Sequence, residues 1–258
     1  MQQNYPQKSG IDVILRNAFQ YWSKTLLYQV LFSLVYFAFV ASVAYFFSVK
    51  YGIFDQILGA VVEYNKSGQT YAEYQQNVAK IVATEEFSTF YFAVMAAVCF
   101  LFPLNMGFYE IYRKLDSKET IMVGDLFAGY RGINFFRFIS YFVFWLFLYL
   151  FTARTLIIPI FWVFTTILVA PILYFSKFTF LNAVILNFKL LKVYFLEIFV
   201  CVIVAFVFKF AGLMLFLVGG LLTFPFWNAM IYSLFKEIFK TPEMQSLLAE
   251  DFLDSEKS

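Results

Sequence analysis

Few side chains in this sequence have the chemistry that catalysis or metal binding requires. The chain contains no histidine, which excludes Ser-His-Asp and Cys-His catalysis and His-ligated metal sites. Its two cysteines, Cys99 and Cys201, both lie in apolar stretches, so we interpret them as packed hydrophobic thiols. No phosphate-binding glycine loop or nucleophile elbow occurs. The sequence therefore predicts neither enzymatic activity nor a bound cofactor.

One carboxylate, Glu197, lies near the start of an otherwise apolar segment. A carboxylate in hydrocarbon is costly and suggests proton or ion coupling. The favoured alternative is an interfacial ion pair, because Lys192 precedes it closely and a helix N-terminus stabilises negative charge.

Two asparagines, Asn105 and Asn228, each follow a Phe-Pro pair within three positions, at Pro103 and Pro225. They either line a polar cavity or, as we favour, join helices through interhelical hydrogen bonds. We expect kinks at Pro103, Pro171 and Pro225, because proline frees a backbone carbonyl. Such kinks serve a transport path and helix packing equally well.

The elements that carry these residues are apolar. Of 258 residues, 62% are hydrophobic, 23% aromatic and only 14% charged, whereas soluble domains carry about a quarter charged residues. A span needs about 20 apolar residues. We predict an all-α, polytopic transmembrane bundle of about six spans, forming one membrane domain over residues 1–240. The predicted spans are Leu26–Phe47, Phe87–Tyr109, Phe138–Thr152, Leu156–Phe175, Val193–Phe208 and Leu213–Phe235.

The basic residues are distributed unevenly between the two sides of these spans. With the N-terminus inside, 14 of the 19 lie on the cytoplasmic side, as the positive-inside rule requires. We therefore place both termini in the cytoplasm and the protein in a bacterial inner membrane. Because the basic residues flank spans, nucleic-acid binding is not expected. The five on the other side are Lys50, Lys66, Lys80, Arg154 and Lys209.

Two segments lie outside the predicted spans. Residues 49–86 alternate apolar and polar positions at helical spacing around a turn at 65–68, which predicts an extracytoplasmic helical hairpin. We favour a cap over the bundle rather than a gating lid. Residues 241–258 form an acidic cytoplasmic tail with a helix start at Thr241-Pro242-Glu243. The tail docks either on the protein's own basic segments or on a partner.

A weak threefold repeat runs through the chain. Amphipathic segments around Ile14, Leu126 and Ile185 precede the odd-numbered spans, and we expect them to lie at the lipid interface with Arg131 and Arg137 facing solvent. Each even-numbered span carries a proline, then a tyrosine, then a basic residue. These sets are Pro103, Tyr109, Arg113; Pro171, Tyr174, Lys177; and Pro225, Tyr232, Lys236.

Between about residues 100 and 240 the chain carries a set of short motifs: Ile158-Pro159, Ala183-Val184 with Asn187, Phe188, Lys189 and Lys192, and Gly219-Gly220 with Pro225, Ala229 and Tyr232. Through these motifs it resembles a family of uncharacterised six-span bacterial integral membrane proteins. This family is similar to the membrane domain fused to some glycerophosphodiester phosphodiesterases. The resemblance implies no catalytic residue, because the phosphodiesterase chemistry belongs to a separate soluble domain.

These observations predict a non-catalytic accessory or scaffold protein that acts through protein partners or lipid organisation. Its expected partners are membrane lipids and a membrane protein. The alternative is a small transporter or channel for a hydrophobic or lipid-like solute. A continuous polar cavity reaching Glu197, Asn105 and Asn228 would favour that alternative.

Overall fold

A computed structural model describes residues 10–68, 70–155 and 157–240. Over these residues the chain forms α-helices and a 3₁₀ helix, Val123–Tyr130, with no β-strand. The predicted all-α class is therefore confirmed. The acidic tail, residues 241–258, lies outside the described residues. The helices are α1 (Ile11–Lys24), α2 (Leu26–Tyr51), α3 (Ile53–Ser67), α4 (Tyr71–Val82), α5 (Glu85–Asp116), α6 (Asn134–Thr152), α7 (Ile157–Thr166), α8 (Val169–Phe175), α9 (Phe180–Val193), α10 (Phe195–Met214), α11 (Phe216–Thr223) and α12 (Phe226–Ile238).

Within the described ranges, six helical segments are long and apolar enough to cross a membrane. This is the predicted number of spans, and the chain is a polytopic helical membrane protein. The second span is longer than predicted, and α7 with α8 forms a single span, as does most of α11 with α12. The segments are Leu26–Tyr51, Glu85–Asp116, Asn134–Thr152, Ile157–Phe175, Phe195–Gly212 and Val218–Ile238.

Leu34–Leu101 form one compact unit, which contains the predicted helical hairpin as α3 and α4. Gly52 and Gly68 bracket α3 with φ of 63° and 65°, a left-handed conformation that glycine adopts without steric cost. Helix α4 begins with a capping box between Thr70 and Glu73. The side of the membrane on which this hairpin lies stays a prediction.

The described residues of Met1–Ser33 and Phe102–Ser258 form the second unit, in which α1 packs along α12. Ile14 and Ala18 are buried, and Ser233 donates a hydrogen bond of 2.7 Å to the carbonyl of Ile14. The rings of Phe19 and Phe226 lie 4.9 Å apart. The helix α12 therefore covers Ile14 and Ala18 on the apolar face of α1, and the location of α1 at the lipid interface stays a prediction.

The segment around Leu126, predicted as an amphipathic interfacial helix, is instead the 3₁₀ helix, and it runs back along α5. A Cβ atom on Gly107 would lie 2.1 Å from the carbonyl oxygen of Leu126, and one on Gly129 would lie 2.1 Å from that of Pro103. The two backbones therefore touch at both glycines. Since an irregular backbone is tolerated at membrane depth only where protein covers it, this contact explains how the segment can return alongside a span.

Arg137, predicted to face solvent, points back into the protein. Its guanidinium donates hydrogen bonds to the backbone oxygens of Ser176, at 3.2 Å, and Phe178. The last carbonyls of a helix lack intrahelical donors, and Ser176 directly follows α8. Arg137 therefore stabilises the end of α8, and the prediction for its side chain is wrong.

Helix α9 has two apolar faces. Ala183, Leu186 and Leu190 are buried on the side that packs against α7 and α8. Leu181 and Ile185, which belong to the predicted interfacial face, are exposed. The sequence pattern identified the exposed face of α9. The buried face carries Asn187 and places it against α7 and α8.

Candidate functional site

The two asparagines singled out from the sequence bond to each other. The side-chain nitrogen of Asn228 donates to the side-chain oxygen of Asn105 at 3.0 Å, and the nitrogen of Asn105 donates to the carbonyl of Phe102 at 3.1 Å. Asn228 is only 4% exposed. The bond joins α5 to α12. Both side-chain amides are therefore bonded to other protein groups, as expected of an interhelical contact.

The side chain of a third asparagine, Asn187, bridges the interruption between α7 and α8 in the fourth span. Helix α7 ends before Leu168 and α8 begins after it. Asn187 accepts a hydrogen bond of 2.9 Å from the backbone N–H of Leu168 and donates one of 3.2 Å to the carbonyl of Phe164. In an unbroken helix these two backbone groups would bond directly, since they are four residues apart. The buried amide therefore takes the place of the lost backbone bond.

Proline accounts for the interruption in the sixth span, between α11 and α12. Pro225 cannot donate, so the carbonyl four residues earlier, that of Leu221, loses its helical partner. Ser33 donates to this carbonyl at 2.7 Å, and the indole nitrogen of Trp22 donates to the neighbouring carbonyl of Leu222 at 2.8 Å. Side chains of the first two helices thus satisfy the freed backbone groups.

The three predicted kink sites differ in their surroundings. Pro171 lies in α8, just after the interruption that Asn187 bridges, and Pro225 lies between two helices. Pro103 lies inside the uninterrupted α5.

The tyrosines of the predicted repeat come together. The ring centroid of Tyr109 lies 6.0 Å from that of Tyr174 and 6.4 Å from that of Tyr232. Tyr109 is 1% exposed. Corresponding positions of the three sequence units therefore meet in one aromatic cluster beside the end of α5.

Next to these rings lies a charged group that we call the Asp116 cluster: Asp116, Tyr21, Tyr232 and Lys236. The hydroxyl of Tyr21 donates to the Asp116 carboxylate at 2.7 Å, and that of Tyr232 donates at 2.9 Å. The Lys236 ammonium lies 2.8 Å from the same carboxylate and donates to the Tyr21 hydroxyl at 2.9 Å. One carboxylate thereby connects α1, α5 and α12.

The surroundings of Tyr21 keep its hydroxyl protonated. Burial raises the pKa of Tyr21 far above its ordinary value, and the hydrogen bond to the Asp116 carboxylate raises it further. The hydroxyl is therefore a neutral donor at physiological pH. Charge-assisted bonds of this kind are about twice as strong as neutral ones, which suits a structural clamp.

A buried ion pair fastens the 3₁₀ helix to α5. Lys114 lies 2.9 Å from the Asp125 carboxylate, whose side chain is 3% exposed, and the Met122 N–H donates to the same carboxylate at 2.8 Å. Burial alone would raise the pKa of Asp125, but the Met122 and Lys114 hydrogen bonds outweigh it and the pKa is lowered.

Glu197 and Gln29 occupy different kinds of site. Glu197 lies in the first turn of α10 and is half-buried, so its placement leaves the ion-pair and coupling interpretations open.

Gln29 is fully buried in α2, and its side-chain nitrogen donates to Thr25 and Tyr112. Its side-chain oxygen has no hydrogen-bond partner within the described part of the chain.

The described residues contain no group of three or more histidine, cysteine or acidic side chains that could hold a metal ion. Both cysteines are free thiols. The polar groups described above form hydrogen bonds and ion pairs that join helices of an all-helical membrane protein. The Asp116 cluster joins three of these helices at the end of α5. Compared with known protein families, curated proteins and solved structures, the chain matches none.

The Asp116 cluster is the part of the site that sequence reasoning missed. Tyr21 and Lys236 are 215 positions apart. The sequence patterns include Lys236 only in the sixth-span set with Pro225 and Tyr232, and they give Tyr21 no role. The available signal was the repeated tyrosine-then-basic pattern, which includes Tyr232 and Lys236. Asp116 itself carries no local pattern that marks it.

Proposed function

We propose that this chain is a non-catalytic, multi-pass protein of a bacterial inner membrane that serves as an accessory or scaffold, acting through protein partners or lipid organisation. The observation that supports this most strongly is the use of the intramembrane amides. Asn105 and Asn228 bond to each other, and Asn187 bonds to the backbone of a broken span. These groups hold helices together.

Such ties favour a fixed shape over a moving transport path. Interhelical side-chain hydrogen bonds contribute about 0.6–2 kcal/mol each within a membrane, and the Asp116 cluster adds charge-assisted bonds at one end. A fixed shape suits a protein that positions a partner or neighbouring lipids. An accessory role also fits the resemblance to membrane domains that accompany a separate soluble enzyme domain.

Purification from the native membrane in mild detergent tests the accessory role. The co-purifying proteins and lipids are quantified against those of an unrelated six-span protein expressed at the same abundance. We expect one protein or one lipid class to be enriched in fixed ratio over that control. A profile indistinguishable from the control would count against the proposal.

A transporter for a hydrophobic or lipid-like solute is the second candidate, and Gln29 is the observation that favours it. A buried acceptor without a partner costs about 1–3 kcal/mol, and the polar group of a lipid-like solute that entered the bundle would relieve this cost. Flux of a fluorescent phospholipid analogue through reconstituted vesicles decides between the two. Flux above that of empty vesicles, lost in Gln29→Met and kept in the exposed control Gln75→Met, would establish transport.

The orientation with both termini in the cytoplasm belongs to the same proposal. It rests on the 14-to-5 distribution of basic residues. In a background without Cys99 and Cys201, single cysteines at positions 67 and 117 are labelled with an impermeant maleimide in sealed cells. Position 67 should react from outside and position 117 only after permeabilisation, and equal labelling would contradict the six-span topology.

A further inference from the structure

A small polar cavity opens beside the Asp116 cluster. Its volume is about 170 Å³, and seven residues of α1, α5 and α12 line it. This volume is below the roughly 300 Å³ at which pockets for drug-sized ligands begin, so the cavity suits one small polar group. We call it the α1 pocket: Asn17, Gln20, Tyr21, Lys24, Leu115, Asp116 and Lys236.

The charges around the α1 pocket do not cancel. Asp116 is neutralised by its ion pair with Lys236 and by two tyrosine hydroxyls. Glu237, next to the pocket, accepts a hydrogen bond of 3.1 Å from Asn17 and lies 3.9 Å from Lys240. Lys24 is exposed and forms no ion pair or hydrogen bond with the described residues. The pocket therefore carries one uncompensated positive charge.

The donors available to a ligand lie on one face of α1. Gln20 and Lys24 are four residues apart in a continuous helix, so their side chains are neighbours. Both are exposed, and the Gln20 side chain has no hydrogen-bond partner among the described residues. The amide and the ammonium can thus both turn toward the same acceptor, while Lys236, 41% exposed at its side chain, approaches from α12.

The pocket lies at the ends of spans. Lys24 lies two residues before the start of the first span at Leu26. Asp116 is the last residue of the span in α5, and Lys236 lies in the last turn of the sixth span. The ends of apolar spans lie at the level of the lipid headgroups. Basic pockets between transmembrane helices at this level bind the headgroups of anionic lipids.

We propose that the α1 pocket binds the phosphoryl group of an anionic phospholipid, with Lys24 and Gln20 as its principal donors and the N–H that Lys236 does not use on Asp116 and Tyr21 as a third. This inference extends the proposed function and rests on its lipid-organising form. A phosphoryl group supplies several acceptor oxygens, matching the convergence of two ammonium groups and an amide. Its negative charge balances the charge that Lys24 leaves uncompensated.

Binding to the purified full chain in neutral detergent tests the inference. Short-chain phosphatidylglycerol, short-chain phosphatidylcholine and inorganic phosphate are titrated separately, and each dissociation constant is measured. We expect phosphatidylglycerol to bind most tightly. Because one basic residue near the membrane surface contributes about fivefold in affinity to an anionic lipid, Lys24→Gln should weaken phosphatidylglycerol binding about fivefold and Lys24→Arg should preserve it.

The matched control is Lys189→Gln, which removes an exposed lysine of α9 outside the pocket and should leave binding unchanged. Melting temperatures without lipid verify that all variants fold. Equal weakening by the Lys24 and Lys189 variants, or equal binding of phosphatidylglycerol and phosphatidylcholine, would overturn the inference. If inorganic phosphate binds as tightly as phosphatidylglycerol, the inference that the bound phosphoryl group belongs to a lipid would be wrong. The co-purification experiment is independent of these titrations, so failure of the accessory role is recognised separately.

Discussion

A single methyl group at position 129 tests the contact between the 3₁₀ helix and α5. The Cβ atom of Gly129→Ala would lie 2.1 Å from the carbonyl oxygen of Pro103 and 2.9 Å from the Cβ of Met106. A carbon–oxygen contact normally needs about 3.3 Å, so the two backbones must separate by about 1 Å. Overpacking of this kind costs about 1–3 kcal/mol. We expect about 2–3 kcal/mol, because the obstructing atom belongs to the backbone and cannot rotate away.

The control lies in the same 3₁₀ helix. A Cβ on Gly124 meets no neighbouring atom within 4 Å, so Gly124→Ala should change the free energy of unfolding by no more than about 0.5 kcal/mol. Reversible unfolding of both variants in mixed detergent micelles gives the two values. Equal stability of Gly129→Ala and Gly124→Ala would refute the close packing and, with it, the return of this segment along α5.

Three further substitutions probe the polar groups. Tyr21→Phe should lower the free energy of unfolding by about 1.5–3 kcal/mol, because it removes a hydrogen bond to the charged Asp116. An unchanged unfolding midpoint would contradict a stabilising role for the Asp116 cluster. The lowered pKa of Asp125 means that its ion pair with Lys114 stabilises the protein above the unfolded-state value near pH 4, and the contribution disappears as the pH falls through the lower folded-state value. The difference in free energy of unfolding between wild type and Asp125→Asn should therefore shrink as the pH falls below about 4, and a difference that stays constant would count against this pair. Glu197→Gln should lower the free energy of unfolding by no more than about 1 kcal/mol, because it removes only an interfacial ion pair. A larger decrease in the same assay would show that the carboxylate has a role beyond this ion pair.

Much of the fold follows from apolar composition alone. The six spans were predictable because about 20 apolar residues are required to cross the bilayer, and the hairpin of α3 and α4 has clear helical spacing. The 3₁₀ helix was not predictable, since Leu126, Phe127 and Tyr130 suit an α-helix equally well. Its geometry depends on contact between the backbones at Gly107 and Gly129, which no local pattern reveals.

The site was predictable only in part. The Phe-Pro context drew attention to Asn105 and Asn228, but their partners became visible only in three dimensions. Asn187 bonds the backbone at the break before Leu168, and Ser33 bonds the Leu221 carbonyl that Pro225 leaves free. A proline indicates that a carbonyl is freed, yet the side chain that satisfies it comes from a distant part of the chain.

A double-mutant cycle at Asn105 and Asn228 tests most directly whether the intramembrane amides tie helices together. The free energies of unfolding of the wild type, Asn105→Ala, Asn228→Ala and the double variant are measured in the same micelles. A hydrogen bond between the two side chains predicts a coupling energy of about 0.6–1.7 kcal/mol. A coupling energy of zero would show that each amide acts independently, and the account of these residues as interhelical ties would then be wrong.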